Sequence, residues 1–183
     1  RLSIHLSTAI LIISLIFWLI KNTKSGENRL FFKLTNNNLP FLFFILLVFI
    51  QIVMGAFVSG LDAGQIYQTW PTMGNGYLPN DLFIKDFTDF FNLDNHSLVQ
   101  FYHRNLAYII TLYAVLLSIF IYKKKLTNLY NSLHILLFFL SLQIVLGIIT
   151  LISGLNIYLA SLHQITSVIL ILSALNLYYL RVK

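Results

Sequence analysis

The chain contains no cysteine, which excludes a disulfide framework, a zinc–thiolate centre and an iron–sulfur cluster. Acidic residues are nearly as scarce. There are six Asp and Glu in 183 residues, and none falls inside an apolar run. Only 10% of the residues are charged, against about 25% in a soluble globular chain, too few to cover a water-facing surface. Proline is confined to Pro40, Pro71 and Pro79, at or outside the ends of the apolar runs.

What the chain does have is hydrocarbon: 58% hydrophobic residues and a mean hydropathy of +0.80. Several apolar runs reach about 18 residues or more, the length a helix needs to cross roughly 30 Å of lipid interior. The expected fold is an all-α integral membrane protein with five transmembrane helices, over residues 2–20, 39–60, 97–122, 130–153 and 157–180. The first run opens without an initiator Met, lacks a small-residue cleavage site and is too long for a signal peptide. It is expected to be a helix from a longer protein. Residues 21–38 then form a loop, and 39–183 a four-helix bundle carrying an external loop over 61–96.

Orientation follows from charge. Lys21, Lys24, Arg29 and Lys33 lie in the first connection against a single Glu27. Lys123, Lys124 and Lys125 follow the third run, and Arg181 and Lys183 close the chain. The long connection instead holds Asp62, Asp81, Asp86, Asp89 and Asp94 with only Lys85. Basic segments stay on the cytoplasmic side, so the acidic loop is expected outside and the C-terminus inside. The net charge of +6 is therefore read as topology and as contact with membrane lipid, not as a nucleic-acid footprint.

An internal repeat lies within this pattern. Gln51-Ile52-Val53-Met54-Gly55 in the second run recurs as Gln143-Ile144-Val145-Leu146-Gly147 in the fourth. Each copy leads through an external connection to a helix with a histidine near its start, His103 or His163. Repeated helix pairs suit a bundle with a pseudo-twofold axis, and the glycines suit close helix approach.

The two histidines sit about six residues into their runs, roughly 9 Å below the outer surface at about 1.5 Å per residue. Ionisable groups within spans are costly and usually line an interior site. A pair of neutral imidazoles at one depth can take both axial positions of a haem iron. With thiolates absent and carboxylates confined to loops, a haem fits better than zinc or a di-iron centre. The competing reading for each histidine is a hydrogen bond to a neighbouring helix. His5 is a third candidate in the outer part of the membrane, without a visible partner. His134 is at the cytoplasmic end, where it reads as interfacial, and His96 in the loop reads as solvated. Arg104, beside His103, could pair with a haem propionate or snorkel to the headgroups. The external loop, with Trp70, Pro71, Gly74, Gly76 and Pro79, is too long to be filler and is expected to fold back over the bundle mouth.

Several segments resemble the haem A synthase family of the mitochondrial and α-proteobacterial type. They are Gly55-Ala56-Phe57-Val58-Ser59-Gly60-Leu61-Asp62-Ala63-Gly64, with Ile66-Tyr67, Thr69-Trp70-Pro71 and Met73-Gly74 beyond it. Val99-Gln100-Phe101-Tyr102-His103-Arg104, Leu106-Ala107-Tyr108 and Leu159-Ala160-Ser161-Leu162-His163-Gln164 extend the likeness. Arg1-Leu2-Ser3-Ile4-His5-Leu6 looks like the start of that family's fourth helix, so the likeness covers the chain from there to the C-terminus. The resemblance implies eight helices in two homologous halves, and oxidation of the C8 methyl of haem O to the formyl of haem A for cytochrome oxidase. It implies successive hydroxylations with loss of water, the cofactor doing the redox chemistry. His103 and His163 match the axial ligands of a haem b in the C-terminal half, used for electron relay or support. His5 matches a ligand of the haem in the substrate-binding half. The family's first three helices, with a second histidine ligand and a catalytic acid, have no counterpart in this sequence. The chain is thus expected to hold one haem and to complete no turnover without them.

The implied partners are membrane lipid, haem O, an electron donor of unknown identity, a haem O synthase and a second copy of the chain. Abundant Asn, Ile, Lys, Phe and Tyr suits an AT-rich genome, favouring a bacterial inner membrane over a mitochondrial one. Two rival readings are an electron-transfer b-type cytochrome, which shares the bis-histidine haem, and a haem-free transporter or scaffold. Against the transporter, all three prolines lie at or outside the ends of the runs.

Overall fold

The computed structural model describes residues 2–82 and 85–182, the side chain of Leu2 excepted. Arg1 of the opening motif and Lys183 of the basic C-terminus lie outside the described residues. Five helices form: α1 (Leu2–Ser25), α2 (Leu39–Gly60), α3 (His96–Lys123), α4 (Tyr130–Ile152) and α5 (Ile157–Arg181). All five are long and apolar enough to cross a membrane, and no strand occurs among the described residues. The protein is an all-α, multi-pass membrane protein, as the hydropathy pattern requires.

Local chemistry sets the helix ends. α1 runs beyond the apolar segment because Lys21–Ser25 continue the helix until Gly26, whose φ of +67° is open to glycine. Pro40 sits in the first turn of α2, where its missing N–H costs nothing. The Asn95 side chain caps α3 by accepting from the Leu98 N–H at 3.1 Å. Asn156 caps α5 by accepting from Tyr158 and Leu159 at 3.0 and 3.4 Å.

The helices α2, α3, α4 and α5 form a closed ring of neighbours, with α1 docked against α2 and α5. In such a ring α3 and α5 are diagonal. The tightest packing is at the basic end. There α2 contributes Phe41, Phe44 and Val48, α3 Leu117 and Ile121, α4 Leu133 and Leu136, and α5 Ile171 and Tyr178. Trp18 of α1 stacks on Tyr178 at 5.5 Å and donates to the Arg29 carbonyl at 2.9 Å. The Arg29 guanidinium lies 4.3 Å over the Tyr179 ring and donates to the Tyr179 carbonyl and to Glu27. One of the basic residues that mark topology thus also ties α1 to α5.

The opposite end is built differently. Along α3 and α5, the buried positions give way to half-buried and exposed ones over residues 101–109 and 157–165. Over this looser end folds the long acidic connection, residues 61–95. Ala63 and Gly64 are buried, and a Cβ on Gly64 would come within 3.0 Å of Leu155 in the turn between α4 and α5. The loop therefore spans the mouth from one helix pair to the other, as its composition suggests.

Candidate functional site

The repeat acquires a structural meaning at the loosely packed end. His103 lies seven residues after the start of α3, and His163 six after the start of α5. Both are therefore roughly 10 Å along helices at about 1.5 Å per residue. They sit at matched depth on diagonal helices, within electrostatic reach of each other.

Each imidazole lies against a helix of its own pair, and the same two residues receive it. In the first pair, Gln51 Nε2 is 3.4 Å from His103 Nε2 and 3.0 Å from the His103 carbonyl oxygen. A Cβ on Gly55 would fall 3.1 Å from His103 Cε1. In the second, Gln143 Nε2 is 3.3 Å from His163 Nε2, and a Cβ on Gly147 would fall 2.9 Å from His163 Cε1. Glutamine and glycine four residues apart share one helix face, so each pair forms a cradle one turn long. The glycines were expected to bring helices together. Instead the atoms nearest their missing side chains belong to imidazole rings, so their smallness makes room for histidine.

The chemical state of this end is unusual. Among the described residues, seven buried side-chain N or O atoms have no hydrogen-bond partner, and Arg181 alone of them lies at the basic end. The other six include Nδ1 of both histidines, Gln51 Oε1, Gln100 Oε1 and Arg104 Nε. Each such atom costs about 1–3 kcal/mol, a cost the basic end of the bundle largely avoids. On the ring face, small residues follow one turn later, Ala107 after His103 and Ser167 after His163, both only half-buried. No cluster of three or more His, Cys, Asp or Glu suited to a bare metal ion occurs among the described residues. Two imidazoles from opposed helices suit a group that brings its own equatorial ligands.

The remaining candidates are elsewhere. His5 on α1 is exposed, makes no side-chain hydrogen bond among the described residues, and is not brought to the pair. His134 is exposed at the basic end, 2.9 Å from the Tyr122 hydroxyl, and His96 is exposed at the start of α3. Arg104 faces the long acidic loop 61–95. Its Nη1 donates to the carbonyls of Thr69 at 2.9 Å and Thr72 at 3.2 Å, and its Nη2 to that of Tyr67 at 2.8 Å. Gln100 adds a fourth tie, donating to the Tyr67 carbonyl at 2.9 Å. Asp81 completes the clamp, accepting from Tyr67 at 2.5 Å and Ser97 at 2.6 Å. Partial burial pushes the Asp81 pKa up, and the hydrogen bonds from Ser97 and Tyr67 more than offset it, leaving it below the usual carboxylate value.

Sequence reasoning did not single out Gln100, Asp81 or Thr166 as contributors to this end. Thr166 Oγ1 donates to Gln143 Oε1 at 2.5 Å and braces the second cradle. A hydroxyl one turn beyond a half-buried histidine is a weak signal in a helix, and only the repeat comparison would raise it.

Residues 1–175 match the family described as cytochrome oxidase assembly protein. The chain is 44% identical over 169 residues to a protein of Pelagibacter ubique, covering 88% of this chain and 47% of that one. It is 36% identical over 160 residues to one from the Wolbachia of Brugia malayi, covering 87% and 46%. With one from Rickettsia felis it shares 38% over 169 residues, covering 88% and 48%. All three relatives are named Heme A synthase. The chain belongs to the haem A synthase family. It spans about half the length of the curated relatives it matches, and those relatives are bacterial.

Proposed function

We propose that this chain carries the haem b site of a haem A synthase, with His103 and His163 as the two axial ligands. The observation that supports this most is the duplicated cradle: two imidazoles at one depth, each seated on a Gln–Gly helix face, each with a buried unpartnered nitrogen. A bound haem would supply one-electron redox chemistry there. The chain's own residues position and shield. The cradles hold the rings, the loosely packed faces of α3 and α5 admit a flat ligand, and the external loop covers the mouth from water.

The proposed reaction is oxidation of the C8 methyl of haem O to a formyl group, giving haem A for cytochrome c oxidase. Haem O is the substrate, and an electron donor and a haem O synthase are the proposed partners, with self-association in the membrane. His5, on α1 at the outer end, is the proposed ligand toward a second haem. The charge pattern supports an orientation with the acidic loop outside and the C-terminus in the cytoplasm of a bacterium.

Haem extraction tests the reaction. In cells that accumulate haem O, the full-length gene product is expected to yield a formyl haem. Haem O persisting unchanged while the protein is folded and haem-loaded would leave an electron-transfer cytochrome instead.

A further inference from the structure

The hydrogen bonds on the two histidines point to a feature of the site that ligation alone does not require. In each cradle the atom facing the histidine Nε2 is a glutamine amide nitrogen, at 3.4 Å for Gln51 and 3.3 Å for Gln143. For Gln51 the direction of the bond is set by the other partner of the amide. Gln51 Nε2 also meets the His103 carbonyl at 3.0 Å, and a carbonyl only accepts, so this end of the amide is the N–H end. Gln143 Nε2 faces His163 Nε2 at 3.3 Å, with Oε1 2.5 Å from the Thr166 hydroxyl, and an amide nitrogen only donates. In both cases an N–H donor is aimed at the lone pair of Nε2.

That lone pair is what a metal would need. An N–H bound to it competes directly with iron, so the bond exists only in the haem-free protein. Each amide also keeps a second anchor that does not involve the ring nitrogen: the His103 carbonyl for Gln51 and Thr166 for Gln143. The Gln51 N–H released from the imidazole is therefore not stranded in hydrocarbon, where an unpaired polar group costs several kcal/mol, and Gln143 stays held through its Oε1.

We propose that Gln51 and Gln143 are positioning residues that act as placeholders, their amide N–H groups occupying the ligating nitrogens of His103 and His163 until haem iron displaces them. This rests on the bis-histidine reading above. The placeholders keep the ligating nitrogen of each imidazole partnered before haem arrives, and they set a threshold against weaker ligands for the same lone pairs, such as free divalent metal ions.

The direction of the effect separates a placeholder from a packing residue. Gln51→Met and Gln143→Met keep side-chain length and remove the amide. Titration of the haem-free, detergent-solubilised protein with hemin should show binding about two- to tenfold tighter in each variant, the worth of one hydrogen bond of about 0.5–1.5 kcal/mol. Thermal unfolding of the same haem-free variants should shift to lower temperature. Nickel(II) titration should show the largest gain in the double variant. A merely structural glutamine would give weaker hemin binding together with lower stability, and unchanged or weaker hemin binding in both variants overturns the proposal. Should a Met variant not fold, Gln51→Leu and Gln143→Leu carry the same test. A folded wild-type protein that takes up no hemin overturns the bis-histidine reading itself.

Discussion

The helix pairs α2–α3 and α4–α5 repeat one frame and finish it differently. Both seat a histidine on a glycine and cap it with a glutamine. In the second pair Thr166, three residues after His163, holds the glutamine carbonyl. The residue three after His103 is Leu106, and Gln51 Oε1 is left without a partner. The residue next to His163 is the exposed Gln164, whereas the one next to His103 is Arg104, which grips three loop carbonyls. The connection within the second pair is the short turn 153–156, and that within the first is the long loop that caps the mouth. One copy is thus specialised to brace its own cradle and the other to hold a lid.

The largest contrast to break is the lid clamp. Arg104→Met removes three bonds from a charged donor, each worth about 1.5–3 kcal/mol. Hydrogen exchange over residues 66–74 should speed up at least tenfold, while Gln164→Met leaves the same amides unchanged. Equal effects would erase the asymmetry between the pairs.

Next come the glycines. A methyl at Gly147 would sit 2.9 Å from the His163 ring, and one at Gly55 3.1 Å from that of His103. Gly147→Ala is expected to destabilise by about 1–3 kcal/mol, the usual cost of overpacking, with Gly55→Ala at the lower end of that range. Thermal unfolding in detergent checks the order.

A smaller effect should follow from exchanging the braces. Thr166→Val leaves Gln143 Oε1 unpartnered and should cost about 1 kcal/mol. Leu106→Thr offers Gln51 the partner it lacks and should offset part of its own lost packing. If both changes cost the same, the brace is not what distinguishes the cradles.

The smallest effect is on pH dependence. Asp81 has a lowered pKa, so its contribution to loop anchoring is complete above the unfolded value of about 3.9. It is lost as pH falls through the lower folded value. Exchange of the loop, divided by the intrinsic amide rate at each pH, should therefore be flat from neutrality to about pH 4 and rise below it. Asp81→Asn should show no such rise.

Much of this was legible in the residues. Five apolar runs became five helices, because a chain in lipid has few other ways to satisfy its backbone. The matched depth of His103 and His163 followed from counting residues, and the repeat from direct comparison. The extension of α1 through Lys21–Ser25 was missed, since polar residues end a hydropathy run without ending a helix. The clamp of Arg104 was missed because its acceptors are backbone carbonyls, which every residue carries. The role of Gly55 and Gly147 was misread, because a glycine reports that something comes close without reporting what. Side-chain pairs across helices, Gln51 with His103 and Gln143 with His163, needed the helix rotations that only the fold supplies.

The central claim is that the duplicated cradles hold one haem between them. The most direct measurement is a reduced-minus-oxidised absorption spectrum of the purified protein beside His103→Ala and His163→Ala. The account requires a low-spin b-type spectrum in the parent, lost or converted to high spin in each variant. A low-spin spectrum that survives both substitutions would contradict it.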